Sequence, residues 1–317
     1  MKKLVGLLFL VFTFTSCVSK KTQALRDNIL TLKDSYCKAP FKYNYDKKLP
    51  SYNADSILLA NKNLSEHFSD QSILILNALG TTDEVKKIIE IKKDTSVESK
   101  LEMLHLRSVI DSKVTIAITE LDAVAAEFDC EGERVGQMAS FIDDLNARKM
   151  NRMVILSIVL GAAASTTSAI VKNENVGKSV DIGAGVLGAG LGFMILNPKG
   201  KKIEFIHQRN LLRDIWQEKL VSENFPPFVW YMYTEKNFSN YTQELSIIQN
   251  IKKRWVEYNF GNDFEATNES VLFDNGGIYY AEDLHNRTSM LNQMQSATRT
   301  INENVNYVLL DLDKLIL

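Results

Sequence analysis

Apolar positions recur along this chain at the alternating three- and four-residue step of a helix packed along another helix. Between Val97 and Leu145 the step runs through Val114, Ala117, Leu121, Val124, Phe128, Val135, Met138, Ile142 and Leu145, with Glu131 as the one break. It returns in the last stretch, from about Tyr280 to Ile316. There Leu284, Leu291, Thr298, Val305 and Leu312 fall every seven residues, and Met294, Ile301, Val308 and Leu315 form a second row beside them. The pattern predicts two long helices, each with one apolar seam, that pair antiparallel while the N-terminal helices complete a bundle. At 1.5 Å per residue the first would be a rod of roughly 75 Å. Gly132 and Gly136 lie beside the acid in the seam, and glycine weakens a helix interior. The segment Cys130–Arg134 is therefore expected to be a kink or a corner, with a partner contact as the alternative.

Between the two seams the pattern changes. Met153 to Val171 is a run of 19 uncharged residues, and Ile182 to Leu196 a run of 15, separated by the polar turn Lys172 to Asp181. The first run approaches the ~20 apolar residues that span a bilayer. Gly161 and Ser165, Ala184 and Gly188, and Gly188 and Gly192 are each four apart, a spacing of small residues that lets helices approach closely. A Gly-rich apolar α-hairpin is expected over residues 151–198, between helical regions at 18–150 and 199–317. Two readings of its surface stand open: insertion into a membrane, favoured by length, and burial in the core of a bundle.

The remaining segments are shorter. Lys38 to Asn53 reads as a loop. Helix resumes near Ala54, with breaks around Ser69 and Gly80 and a cap at Thr82–Asp83. Lys201 to Val221 reads as an amphipathic helix through Ile203, Ile206, Leu211, Ile215 and Leu220. The aromatic run Phe225, Phe228, Trp230, Tyr231 and Tyr233 follows the turn-forming Pro226–Pro227, and packing at the base of the bundle is favoured over a membrane-interface belt. A helix is expected over roughly Tyr241 to Tyr258. Gly261 to Gly277, with Asn275–Gly276–Gly277 as a turn, is the one place for a small strand pair. With only 15 Gly and 5 Pro in 317 residues, the expected fold is all-α, an elongated helical bundle.

Charge and candidate chemistry narrow the function classes. A net charge of −2 argues against nucleic acid, whose phosphates call for a basic surface. Gly183, Gly185 and Gly188 spell G-x-G-x-x-G, but helical apolar flanks replace the strand and parallel sheet that a dinucleotide site needs. Gly177–Lys178–Ser179 ends like a P-loop but has Lys172 where the motif needs glycine. His67, His105, His207 and His285 form no metal-ligand spacing, and read as surface or interhelical residues. No nucleophile elbow or triad appears. No catalytic residue, metal, cofactor or small-molecule substrate is expected.

The N-terminus carries an address. Lys2 and Lys3 precede the apolar run Leu4 to Phe14, and small residues lead to Cys17. Residues 1–17 resemble bacterial lipoprotein precursors, with Phe14 departing from the usual Leu or Val. The resemblance implies cleavage before Cys17 and lipid on that residue. Val18, where an Asp would signal inner-membrane retention, implies an outer-membrane destination facing the periplasm. Loss of Lys2 and Lys3 would leave 35 basic against 39 acidic residues, a net charge of −4. In an exported chain Cys37 and Cys130 are candidates for one disulfide, or for two unpaired buried cysteines.

From about residue 97 onward the layout, long helices carrying an apolar hairpin, resembles α-helical pore-forming proteins in plan, with no motif in common. The cations before and after the hairpin (Arg148, Lys149, Arg152; Lys199, Lys201, Lys202) would favour cytoplasmic flanks, in conflict with export. The hairpin is therefore expected to enter another membrane after export, or to be shielded in protein or an oligomer. The expected role is a non-enzymatic envelope lipoprotein, structural or assembling, whose partners are membrane lipid and other envelope proteins or copies of itself. The alternative is a membrane-permeabilising protein.

Overall fold

The computed structural model describes Cys37, residues 53–170, Val186, residues 189–190, Gly192, Met194, and residues 200–207, 209–239 and 244–316, without the side chains of 164–170. The chain divides into two compact units, Met1–Lys38 and Ala39–Leu317. The elements below all belong to the second.

Among its described residues that unit is all-α apart from one pair of short strands. Three short helices come first: α1 (Ala54–Ala60), α2 (Asp70–Leu79) and α3 (Thr82–Ile91). Local chemistry sets their ends. The Asn53 and Ser69 side chains accept from backbone N–H groups to start α1 and α2, and Gly80, at φ 67°, closes α2 in the left-handed conformation that suits glycine. The cap expected at Thr82–Asp83 is corrected by one residue: α3 begins at Thr82 with Thr81 as its N-cap, whose hydroxyl donates to the Leu76 carbonyl.

Helix α4 (Val97–Ile170) runs for 74 residues, about 110 Å. The Ser96 hydroxyl caps it by accepting from the Ser99 N–H at 3.2 Å. Helix α9 (Ala281–Ile316) closes the chain with 36 residues. Their pairing is antiparallel: Arg107 meets Asp313, Asp122 meets Asn302, and Asp143 meets His285. Both predicted seams lie in this contact. Val114, Ala117, Leu121, Val124, Phe128, Val135, Met138 and Ile142 are buried, as are all nine seam positions of α9. Leu145 is half-buried. Helix α2 packs its apolar residues beneath α9, where the Ser72 hydroxyl donates to Asp311 at 2.9 Å.

Helix α4 is continuous through Gly132 and Gly136, where a kink or corner is expected. Both glycines allow close approach of α9. A Cβ on Gly132 would lie 2.8 Å from Asn292 Oδ1, and one on Gly136 would lie 3.5 Å from a Thr288 methyl. The glycines seat polar residues of α9 against α4.

A compact segment between the long helices carries α5 (Leu211–Gln217), α6 (Pro227–Thr234), α7 (Ile247–Arg254), a π-helical turn (Trp255–Asn259) and α8 (Phe264–Asn268). The aromatic run packs inward: Phe225, Phe228, Trp230, Tyr231 and Tyr233 are all buried, with Trp230 stacked on Phe225 at 5.3 Å.

The amphipathic helix expected from Lys201 is corrected. Its first turns are strand β1 (Ile203–Ile206), paired antiparallel with β2 (Gly276–Tyr279) so that Ile203 faces Tyr279 and Ile206 faces Gly276. Helix begins only at Leu211, and Leu220 is exposed. Gly276 belongs to the strand, and here glycine is required: φ is 120°, and a Cβ would sit 2.3 Å from the Phe205 carbonyl oxygen.

Candidate functional site

Helix α4 passes without a break from the packed seam into the first apolar stretch. There its apolar side chains lose their partners. Ile155 is 60% exposed, Ile158 64% and Val159 54%, with Val154 and Leu156 exposed beside them. Successive helical residues point 100° apart, so these five positions cover most of the circumference. Such a surface is ordinarily buried in protein or lipid, because burying each side chain is worth about 1.5–3 kcal/mol. In the second stretch Val186 and Met194 are helical and exposed. Among the described residues no helix is long and apolar enough to cross a membrane.

The close-packing residues expected in the hairpin fall mostly beyond view. Ala184, Gly188 and the Ser165 side chain lie outside the described residues, as do Cys17 and the whole signal segment. At Gly161 and Gly192 an added Cβ would meet no atom within 4 Å. Cys37 and Cys130 are each disulfide-bonded.

The excursion leaves and re-enters the body at one place. The Asn146 side-chain oxygen, on α4, accepts from the Lys201 N–H at 2.8 Å. A Cβ on Gly200 would touch the Asn146 amide at 3.4 Å and the Tyr280 ring at 3.9 Å. Lys202 Nζ lies 4.8 Å from the centre of the Tyr280 ring, a cation–π contact. The residues that flank 147–199 on either side are thus hydrogen-bonded to each other. Strand β1 starts immediately after this clasp.

Beneath the clasp lies a buried polar network tying α4, both strands and α9. Arg287 of α9 is 2% exposed. Its Nη1 donates to Asn210 Oδ1 at 3.2 Å and to the Leu272 carbonyl at 3.1 Å. Asn210 in turn donates to the Leu272 and Asp274 carbonyls. On α4, Glu131 pairs with Arg134 at 2.8 Å, and the Arg134 guanidinium lies 4.8 Å from the centre of the Phe205 ring. The acid that interrupts the seam thus balances buried cations. Desolvation holds the Arg287 pKa below the usual guanidinium range, while the field of Glu131 acts the other way.

His207 sits in the same network, edge-on to Phe205 at 4.5 Å. Burial, then the charges of Arg287 and Arg134, lower its pKa to about 2, so it is a neutral imidazole at ordinary pH. The Tyr279 hydroxyl donates to the Val271 carbonyl at 2.9 Å. Its oxygen must therefore accept from His207 Nε2–H at 2.6 Å, which sets the tautomer. Burial pushes the Tyr279 hydroxyl up to about 12. Both groups hold fixed protonation states across the physiological range, and they act as hydrogen-bonding struts.

Sequence reasoning placed His207 among surface or interhelical residues and missed Arg287 altogether. A signal was present. Arg287 falls seven residues before Met294, on a seam row of α9, and Glu131 occupies a seam position of α4. A cation and an acid in facing seams indicate a buried polar layer.

A shallow groove of about 670 Å³ between α7 and α9 is lined by Arg254, His285, Thr288, Asn292, Gln293 and Ser296, among others. Among the described residues no group of three or more His, Cys, Asp or Glu side chains gathers to hold a metal. Comparison with family models, curated proteins and solved structures found no match to this chain.

Proposed function

We propose that this chain is a non-enzymatic lipoprotein of the cell envelope, a structural or assembly component attached to a membrane at two points. One attachment is lipid on Cys17. The other is the apolar excursion carried by α4. The observation that supports this reading is the continuity of α4: a single helix whose seam is buried against α9 goes on into a segment with exposed apolar side chains on most of its circumference. A rigid helix projecting such a surface presents it to lipid or to protein, and the helix pair below transmits its position to the rest of the fold. Localisation in the outer membrane, facing the periplasm, follows from the N-terminal resemblance.

Fractionation of a Cys17→Ala variant tests the second attachment. The variant should stay with membranes. Release into the soluble fraction, with wild-type protein retained, would show that the excursion does not hold the membrane. Incorporation of labelled fatty acid at Cys17, abolished by the same substitution, tests the first attachment.

The same exposed apolar residues favour a second reading, permeabilisation of a target membrane by insertion of the excursion. Release of dye from liposomes would support it, and intact liposomes across lipid compositions would sink it.

A further inference from the structure

We infer that the groove between α7 and α9 binds an extended glycan built of acetamido sugars that carry carboxylates. Its volume of about 670 Å³ is that of a small-molecule site. It follows α9 from His285 to Thr300, four turns of helix and about 22 Å, which suits a chain better than a compact ligand. In a protein with 24% charged residues its lining is uncommonly neutral: among the described residues along the groove none is Asp, Glu or Lys. The His285 ring at one end is already held by Asp143 at 2.7 Å, so Arg254 is the cation left for a ligand. Its guanidinium is exposed and makes no ion pair or hydrogen bond with the described residues. A guanidinium in that state is a bidentate partner for one carboxylate.

The rest of the lining offers neutral hydrogen bonds. The Asn292 amide and the Ser296 hydroxyl are exposed and unengaged by the described residues. Gln293 Nε2 reaches Ser289 Oγ at a long 3.4 Å, and its Oε1 has no donor. A buried acceptor without a donor is costly, and the soft terminal torsion of Gln lets the amide turn toward a ligand N–H. A side-chain amide donates and accepts at once, as an acetamido group does. Thr288 and Thr300 give their hydroxyl protons to carbonyls of their own helix, which leaves acceptor lone pairs for sugar hydroxyls. A peptide is the poorer fit. Both walls are helices, so there is no strand edge to extend, and Ile251 and Ala297 are the apolar side chains available to anchor one. The groove is shallow, so one side of the glycan stays in water and its affinity is roughly millimolar.

Saturation-transfer NMR on the full chain in detergent tests this with soluble probes, so the outcome is independent of membrane attachment. One probe is the disaccharide of N-acetylglucosamine and N-acetylmuramic acid, which has acetamido groups and a carboxylate. The second is diacetylchitobiose, which lacks the carboxylate. The third is acetyl-triglycine, which has amides and a carboxylate but no hydroxyls. At roughly 10 mM probe both sugars should receive saturation, most at the acetamido methyls, and the acidic sugar should bind about fivefold to tenfold more tightly. Arg254→Gln should remove that difference and leave diacetylchitobiose binding unchanged, which also shows that the variant is folded. Asn292→Leu together with Ser296→Leu, both at exposed positions, should abolish transfer to either sugar. No transfer to the sugars, or transfer that persists in the double variant, would overturn the proposal. Equal or stronger saturation of acetyl-triglycine would assign the groove to peptides instead. An unchanged preference in Arg254→Gln, or equal loss of both sugars there, would overturn the pairing of Arg254 with a carboxylate.

Discussion

At the scale of residues, the layer around Glu131 makes sharp demands. Replacing Glu131 by Ala would leave the buried guanidinium groups of Arg134 and Arg287 without their nearest acid. Removing one partner of a buried ion pair costs about 3–5 kcal/mol, and urea unfolding should show a loss of that order. The two glycines of α4 should respond by different amounts. Gly132→Ala brings its Cβ to within 2.8 Å of Asn292 Oδ1, the far end of an exposed side chain that must turn away, so its gain in helix propensity should be largely cancelled, and recovered when Asn292→Ala is added. Gly136→Ala meets Thr288 at an ordinary 3.5 Å and should gain roughly 0.5–1 kcal/mol from helix propensity. Thermal melts of the three variants check the contrast. His207 gives the fold a pH dependence. Its pKa is lowered to about 2 in the folded chain, against about 6.5 when unfolded. Below that value the unfolded chain binds the extra proton, so its contribution is whole above pH ~6.5 and is lost as pH falls from there toward the folded pKa. By about pH 4.5 the loss is roughly 2–3 kcal/mol. His207→Gln, which keeps an N–H donor toward Tyr279, should flatten that part of the stability curve.

At the scale of elements, period and context compete. The seams of α4 and α9 repeat over many turns, so their helical period was unmistakable in sequence, and the apolar seam positions from Val114 to Ile142 are buried as expected. The four residues Ile203–Ile206 are too few to separate a period of two from one of 3.6. They became a strand because β2, more than seventy positions later, offers a matching edge. Gly276 makes that pairing possible. Gly276→Ala would place a Cβ 2.3 Å from the Phe205 carbonyl at φ 120°, and it should lower the melting temperature markedly, whereas Gly261→Ala, with open space around its Cβ, should cost only the strain of its positive φ. The aromatic run was legible because Pro226–Pro227 starts a helix whose every face is enclosed. The Asn146 clasp was not, since nothing local marks a side-chain amide fifty-five positions from its partner.

At the scale of the molecule, the excursion is an appendage to a body that can close without it. Its ends meet at Asn146 and Lys201, and the α4–α9 seam, the strands and the aromatic cluster all lie on the body side. Replacing residues 147–199 by a short Gly/Ser linker should leave the far-ultraviolet circular dichroism of a folded helical protein and a cooperative melt. In a Cys17→Ala background the same deletion should move the protein to the soluble fraction. Periodicity alone determined that this chain pairs two long helices antiparallel and carries an apolar insertion between them, because repeated burial along a helix leaves a repeated mark in sequence. The tertiary structure decided the rest: that Gly132 lies against Asn292, that Arg134, paired with Glu131, lies over Phe205, and that Asn146 meets Lys201. Each of these depends on one contact between residues far apart in the chain, and a single contact of that kind leaves no period to read.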